Sequence, residues 1–256
     1  MSWTEMSSSE RERRMTDDVR IAIIGVGRIG RMHAGIVARE TPGAQLVAVA
    51  DADAALAASV AAEFGVAAQS LDEILARRDV DAIGVMTSTD THVDTILAAA
   101  AAGKAIFCEK PIAKSIAETD RALDAVRAAG VPFMVGFNRR FDPSHGAVQR
   151  AVAAGEIGAV EIVRITSRDP EPPPMSYVAV SGGIFLDMMV HDFDMAAFVA
   201  GSPVVSVFAQ GAVRVDPAFA EHGDVDTAIV LLTHANGALT AIDNSRRAVY
   251  GYDQRV

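Results

Sequence analysis

An apolar run, Val19–Ile24, feeds directly into Gly25-Val26-Gly27-Arg28-Ile29-Gly30, and a helical pattern begins at once. A strand that turns through three glycines straight into a helix leaves few folds open. Gly25 permits the tight turn, Gly27 lets the backbone approach a pyrophosphate, and Gly30 allows close packing of helix on strand. The free N–H groups and positive dipole end of the helix then face the phosphates. Three spaced glycines also mark ordinary turns, so the weight lies in their context. That context is an alternation of strands and helices.

Strands are expected at Val19–Ile24, Gln45–Ala50, Ala82–Met86, Ala105–Cys108 and Phe133–Gly136, with helices at Arg31–Arg39, Ala54–Phe64, Leu71–Arg77, His92–Ala102 and Ile116–Ala129 between them. Such alternation implies crossover connections and a parallel sheet covered on both faces. After about residue 140 the pattern changes to turn-rich stretches (Phe141–Pro143 and Arg168–Met175) and longer β-like runs at Ala159–Ser167, Val204–Val213, Thr227–Thr233 and Leu239–Ser245. One helix, Phe185–Val199, is expected among them. The fold class is therefore α/β: a Rossmann doubly wound parallel sheet over 19–137, followed by an α+β domain over 138–256 with a large open mixed or antiparallel sheet. Residues 1–18 are polar and lack the apolar stretch of a secretory signal, and read as a disordered leader.

Composition excludes several classes. Half of the 256 residues are hydrophobic, against disorder, and 33 Asp and Glu outweigh 23 Lys and Arg, against a nucleic-acid or anionic-membrane surface. The single cysteine, Cys108, rules out an intrachain disulfide and suits the reducing cytoplasm.

Asp51 ends the second strand about 20 residues past the glycine loop, where an acid bonds the adenosine ribose hydroxyls and repels a 2′-phosphate. That favours NAD over NADP; the alternative is that Asp51 merely caps the next helix. Thr87-Ser88-Thr89-Asp90-Thr91-His92 follows the third of these strands, at the sheet edge where a cofactor lies. The same hydroxyls could cap a helix, and His92 suits packing better than catalysis. Glu109-Lys110-Pro111 ends the next strand and sets an ammonium at that edge, while Cys108 reads as a small buried hydrophobe.

Further on, Asp187, His191 and Asp194 share one face if Phe185–Val199 is a continuous helix, with Asp192 about 100° away from His191. Two carboxylates can orient an imidazole and raise its pKa, suiting it to take a proton from an alcohol. A metal site on Asp187, His191 and Asp194 lacks a cysteine or second histidine, so no metal is expected.

Taken together, GVGRIGRMHA (25–34), EKP (109–111), GFNRRFDP (136–143) and SGGIFLDMMVHDFDMAAFVAG (181–201) resemble the Gfo/Idh/MocA oxidoreductase family. SRDPEPPP (167–174) with DMMVHDFDM is similar to its inositol 2-dehydrogenase branch. The resemblance implies an NAD-dependent dehydrogenase oxidising a secondary hydroxyl of a cyclic polyol, foremost myo-inositol to 2-keto-myo-inositol (scyllo-inosose), in a homo-oligomer that is a tetramer in the family. It implies catalytic roles for Lys110, Asp187 and His191, and substrate contacts from Arg139 and Asp194. Cofactor contacts are implied for Gly25, Gly27, Arg28, Ile29, Gly30, Asp51, Thr87, Ser88, Thr89, His92, Glu109, Lys110 and Asn138. Tyr250 or Tyr252 would close the sugar pocket. Family members continue with further strands past YGYDQRV, so the second sheet is expected to be incomplete at the C-terminus. Another sugar as substrate, or NAD binding without catalysis, are the alternatives.

Overall fold

The computed structural model describes residues 18–256; of the expected leader, only Asp18 lies within them. The chain forms two compact units that divide between Gly136 and Phe137.

The first unit is built on six parallel strands: β1 (Val19–Ile24), β2 (Ala44–Ala50), β3 (Ala67–Ala68), β4 (Ala82–Val85), β5 (Ala105–Cys108) and β6 (Phe133–Val135). Their order is β3-β2-β1-β4-β5-β6, the doubly wound order, with its switch point between β1 and β4. The crossovers are α1 (Arg28–Arg39), α2 (Ala54–Phe64), α3 (Leu71–Ala76), α4 (Thr89–Ala101) and α5 (Ile116–Ala129). Local chemistry sets several helix ends. Asp53 caps α2, Ser70 and Glu73 form a capping box on α3, and Ser115 caps α5. Ala22, Ile24, Ile83, Val85, Ile106 and Cys108 fill one core beneath α4 and α5. Ile23, Val49, Ala34 and Val60 fill the other, so the sheet is apolar on both faces, as expected for a parallel sheet.

The second unit opens with a 3₁₀ turn (Asn138–Phe141) and α6 (Pro143–Ala153). Helix α6 was not among the expected elements; the turn-rich stretch Phe141–Pro143 ends at its first residue. Asp142 accepts from the amides of Ser144 and His145, and Pro143 stands at the first helical position, where its missing N–H does no harm. Then come β7 (Ile162–Arg168), α7 (Met175–Ser181), α8 (Gly183–Asp187), α9 (Val190–Ala200), β8 (Val204–Ala212), α10 (Ala218–Glu221), β9 (Thr227–His234), β10 (Leu239–Ser245) and β11 (Asp253–Arg255). The sheet order is β11-β7-β10-β9-β8, with β7 and β10 parallel and the other pairs antiparallel. Its inner face packs Val163, Ile165, Val230, Leu232 and Ile242 against Met188, Met189, Met195 and Val199. The outer face exposes Ile162, Phe208, Ile229, Leu231 and Leu239.

The single helix expected over Phe185–Val199 is instead two, α8 and α9. The amides of Met188 and Met189 both donate to Ile184 O, and the His191 amide reaches Met188 O at 3.4 Å rather than Asp187 O. Met188 and Met189 are both buried beside Ile184, and a break in the ladder is how adjacent side chains enter one core. Asp187 and His191 therefore do not share a continuous helical face, whereas His191 and Asp194 stay three residues apart on α9.

Candidate active site

In the first unit, the ends of β1, β2, β4 and β5 lie in register, Ile24 pairing with Ala50 and Val85, and Val85 with Cys108. The loops that follow them therefore share one edge of the sheet. Gly25 has φ +84°, which an L side chain rarely adopts, and a Cβ on Gly30 would collide with the Gly25 carbonyl oxygen. A Cβ on Gly27 would meet open space, and no side chain caps the α1 N-terminus there. An uncapped helix start, approachable at Gly27 and closed at Gly30, fits a dinucleotide pyrophosphate. Arg28 and Ile29 lead this first turn, with Arg28 exposed.

Asp51 accepts from the Val26 amide at 2.7 Å and from the Asp53 amide at 2.9 Å, locking the glycine loop to the end of β2. The cap of α2 is Asp53, not Asp51, which removes the simple capping alternative. In the next loop, the Thr91 hydroxyl donates to Thr87 Oγ1 and Ser88 O, and Ser88 is the cap residue of α4, with Thr89 opening the helix. His92 is buried, its ring nitrogens 2.9 Å from Pro111 O and 3.0 Å from Thr87 O. It ties the loops after β4 and β5 together.

Glu109 pairs with His33 of α1 at 2.8 Å and accepts from the Lys110 amide at 3.2 Å. Burial pushes its carboxyl up, but His33 and Lys110 outweigh that and hold it below the ordinary range. The Lys110 backbone just past β5 is thus tied to a carboxylate that is anchored to α1 through His33. Burial pushes the Cys108 thiol up to about 12, so it carries no nucleophile.

The second unit places the remaining residues around α8 and α9. His191 meets the Phe137 ring edge-on, with centroids 6.3 Å apart. Asp187, at the end of α8, accepts from the Tyr177 hydroxyl at 2.8 Å and from Arg246 at 3.0 Å. Asp194 is held by Arg140 at 2.6 to 3.1 Å, with Arg140 also lying over the Phe198 ring. The carboxylates of Asp187 and Asp194 are thus committed to different arginines. Arg139 turns inward, bonded to Asp192 and, at 3.0 Å, to Ser167 Oγ; Asn244 donates to the other oxygen of Asp192 at 2.8 Å. Asn138, beside it, is exposed. The Tyr250 hydroxyl donates to Asp253, and Tyr252 is exposed.

Sequence reading missed Arg246 and Tyr177. The first was legible: Thr240, Ile242 and Asn244 alternate inward along β10, and Arg246 continues that rhythm, so its guanidinium needed a buried acid. Tyr177 carried no such signal.

Residues 19–137 match the oxidoreductase family described by its NAD-binding Rossmann fold, and residues 145–256 match the GFO/IDH/MocA C-terminal domain. The inositol 2-dehydrogenase of Rhizobium meliloti is 50% identical over 93% of this chain and 72% of its own length. A myo-inositol dehydrogenase structure from Corynebacterium glutamicum superposes with a TM-score of 0.87 at 43% identity, over 92% of this chain and 71% of that one. A scyllo-inositol dehydrogenase from Lactobacillus casei, solved with NAD(H) and scyllo-inositol, gives 0.84 at 30% identity, over 92% and 72%. With both halves matched and a glycine loop shaped for a dinucleotide, the chain belongs to the GFO/IDH/MocA family and is an NAD-dependent oxidoreductase.

Proposed function

We propose that this protein oxidises a secondary hydroxyl of a cyclic polyol, myo-inositol at C2 first among candidates, to the ketone. The observation that carries the reading is that Asp187 on α8 and Asp194 on α9 are each held by a different arginine, with His191 three residues before Asp194 on α9 and edge-on to the Phe137 ring. Similarity at 50% identity to an inositol 2-dehydrogenase supports the substrate class.

The glycine loop, Asp51, the Thr87–Thr89 loop, Glu109 and Asn138 would hold the dinucleotide, which supplies the hydride acceptor when bound. Asp51 favours the unphosphorylated ribose of NAD. His191 takes the hydroxyl proton, and the ammonium of Lys110 stabilises the developing alkoxide. Asp187 orients His191. Asp194 and Arg139 are the substrate-side groups, with Arg139 acting chiefly through the Asp192 and Ser167 frame that it braces. We also assign the protein to the cytoplasm, without nucleic-acid partners, and to a homo-oligomer assembled through the apolar outer face of the second sheet. Among the described residues no helix is long and apolar enough to cross a membrane.

The test is growth of the reduced-nicotinamide absorbance band with NAD and myo-inositol, scyllo-inositol, glucose or no polyol. Fastest turnover on myo-inositol is expected. Binding of NAD without turnover on any polyol would overturn the reading in favour of a binding protein.

A further inference from the structure

Asp169 belongs to the Ser167–Pro174 stretch, which the roles above leave without a task. Its amide donates to Ser245 O at 3.1 Å, joining the ends of β7 and β10. One residue beyond β10, Arg246 is only 3% exposed, and its amide donates to Asp226 O at 2.8 Å. From there Nη2 bonds Asp187 Oδ2 at 3.0 Å, while Nη1 lies 3.5 Å from Asp169 Oδ2. A guanidinium fork can hold one carboxylate bidentately. Here the fork is divided between two.

We propose that Arg246 and Asp169 are positioning residues for the dehydrogenase reaction, setting the direction and the ionisation of Asp187 through one shared guanidinium. The inference rests on the reading of Asp187 as part of the catalytic set. Two partly buried carboxylates beside one buried cation leave an excess of negative charge. Burial pushes the Asp169 carboxyl above its ordinary range, against the pull of Arg246, and the neighbouring Asp187 adds to the rise. Asp169 therefore competes with Asp187 for the same guanidinium. The groups around Asp187 are Arg246 after β10, Asp169 after β7 and Tyr177 on α7, with Asp224 bonded to the Ile184 amide in the first turn of α8 and His191 four residues on, in the first turn of α9. A lysine at position 246 would offer one point charge and could not serve both acids in this geometry.

The experiment follows kcat and kcat/KM against pH, with NAD and myo-inositol, for full-length Arg246→Gln, Arg246→Lys, Asp169→Asn and Asp187→Asn, alongside NAD affinity. Arg246→Gln should lower kcat by up to about 10²-fold, the scale of a misplaced reacting group, with NAD affinity unchanged. It should also move the acid limb of kcat/KM to higher pH, because the cation favouring ionised Asp187 is gone. Asp169→Asn should move that limb to lower pH, because a like charge is removed and Arg246 serves Asp187 alone. Arg246→Lys should fall between wild type and Arg246→Gln. A purely structural role would not produce shifts of opposite sign. Unmoved acid limbs in Arg246→Gln and Asp169→Asn, with Asp187→Asn inactive, overturn the proposal and leave the Asp187 reading standing. Full turnover by Asp187→Asn overturns that reading itself. If Arg246→Gln does not fold, the Asp169→Asn limb decides alone: a downward move supports the proposal and an unmoved limb refutes it.

Discussion

Three arginine–carboxylate pairs of the first unit lie in water: Arg20–Asp81, Arg31–Glu63 and Arg121–Asp94 have side chains between 30% and 82% exposed. In the second, Arg139–Asp192 and Arg246–Asp187 are at most 11% exposed. The contrast follows from where each unit puts its chemistry. A parallel sheet, covered on both faces, can bind a dinucleotide with loop backbone and a helix end, leaving its core apolar. A site built from side chains beside an open sheet needs charges held in fixed directions, and buried charges persist only when paired and hydrogen-bonded. On the proposed function, the first unit holds the dinucleotide and contributes Lys110, and the second supplies the proton acceptor.

The largest expected effect separates these tasks. His191→Ala should lower turnover by about 10²–10⁴-fold, the usual scale for acid–base catalysis, while NAD affinity by titration stays at the wild-type value. A parallel loss of NAD affinity would break the division of labour, and wild-type turnover would remove His191 from the chemistry.

Buried and exposed pairs should also separate in stability. Arg139→Met leaves Asp192 in the interior without its cation, and breaking such a pair costs about 3–5 kcal/mol. Burial already pushes the Asp192 carboxyl above its ordinary range despite Arg139 and Asn244. Arg121→Met, at the surface of the first unit, should cost less than about 1 kcal/mol. Urea midpoints would show it; equal losses would mean that the buried pair contributes no more than a surface one.

The same contrast explains what could be read from sequence. Five strands of the first sheet and its glycine loop were legible because apolar runs and spaced glycines act within a few residues, whereas the two-residue β3 (Ala67–Ala68) offers no such run. In the second unit the individual strands were legible from their alternation, as at Leu239–Ser245. The partners were not. Arg139 finds Asp192 53 residues away, and Arg246 finds Asp187 59 residues away, so no window along the chain contains either pair. The break at Met188–Met189 was hidden for a related reason. DMMVHDFD has a good helical period, and only the core that receives both methionines interrupts it.

Asp226 extends the comparison to pH. Its buried carboxylate accepts from the amides of Arg214, Val215 and Asp216 and from the Thr227 hydroxyl. Burial pushes its carboxyl up, yet those amides outweigh burial and hold it below the ordinary range. A carboxyl depressed on folding adds stability that is present above its unfolded value, ~3.9, and is lost as pH falls through the folded value. Asp226→Asn should thus cost about 2 kcal/mol at neutral pH. The gap to wild type should close in acid, as the wild-type group protonates too. A gap that stays constant from neutral pH into acid would assign the loss to shape rather than charge.

The smallest effect on stability belongs to the outer face of the second sheet. Leu231 lies between Phe208 on β8 and Ala241 on β10, among exposed Ile229, Leu239 and Ile162. The side chain is 49% exposed, so little apolar area leaves water on folding. Leu231→Lys should change the urea midpoint by no more than about 0.5 kcal/mol, the range of ordinary surface substitutions. In an assembly through this face the same lysine would carry an unpaired charge into an apolar contact, which disfavours association strongly. Sedimentation should show the wild type as an oligomer and Leu231→Lys as a smaller species, both with native circular dichroism. An unchanged sedimentation coefficient would exclude this face as the assembly surface, and a collapsed midpoint would mean that Leu231 supports its own fold. The first unit offers no such substitution at its sheet, because both of its faces already lie beneath helices.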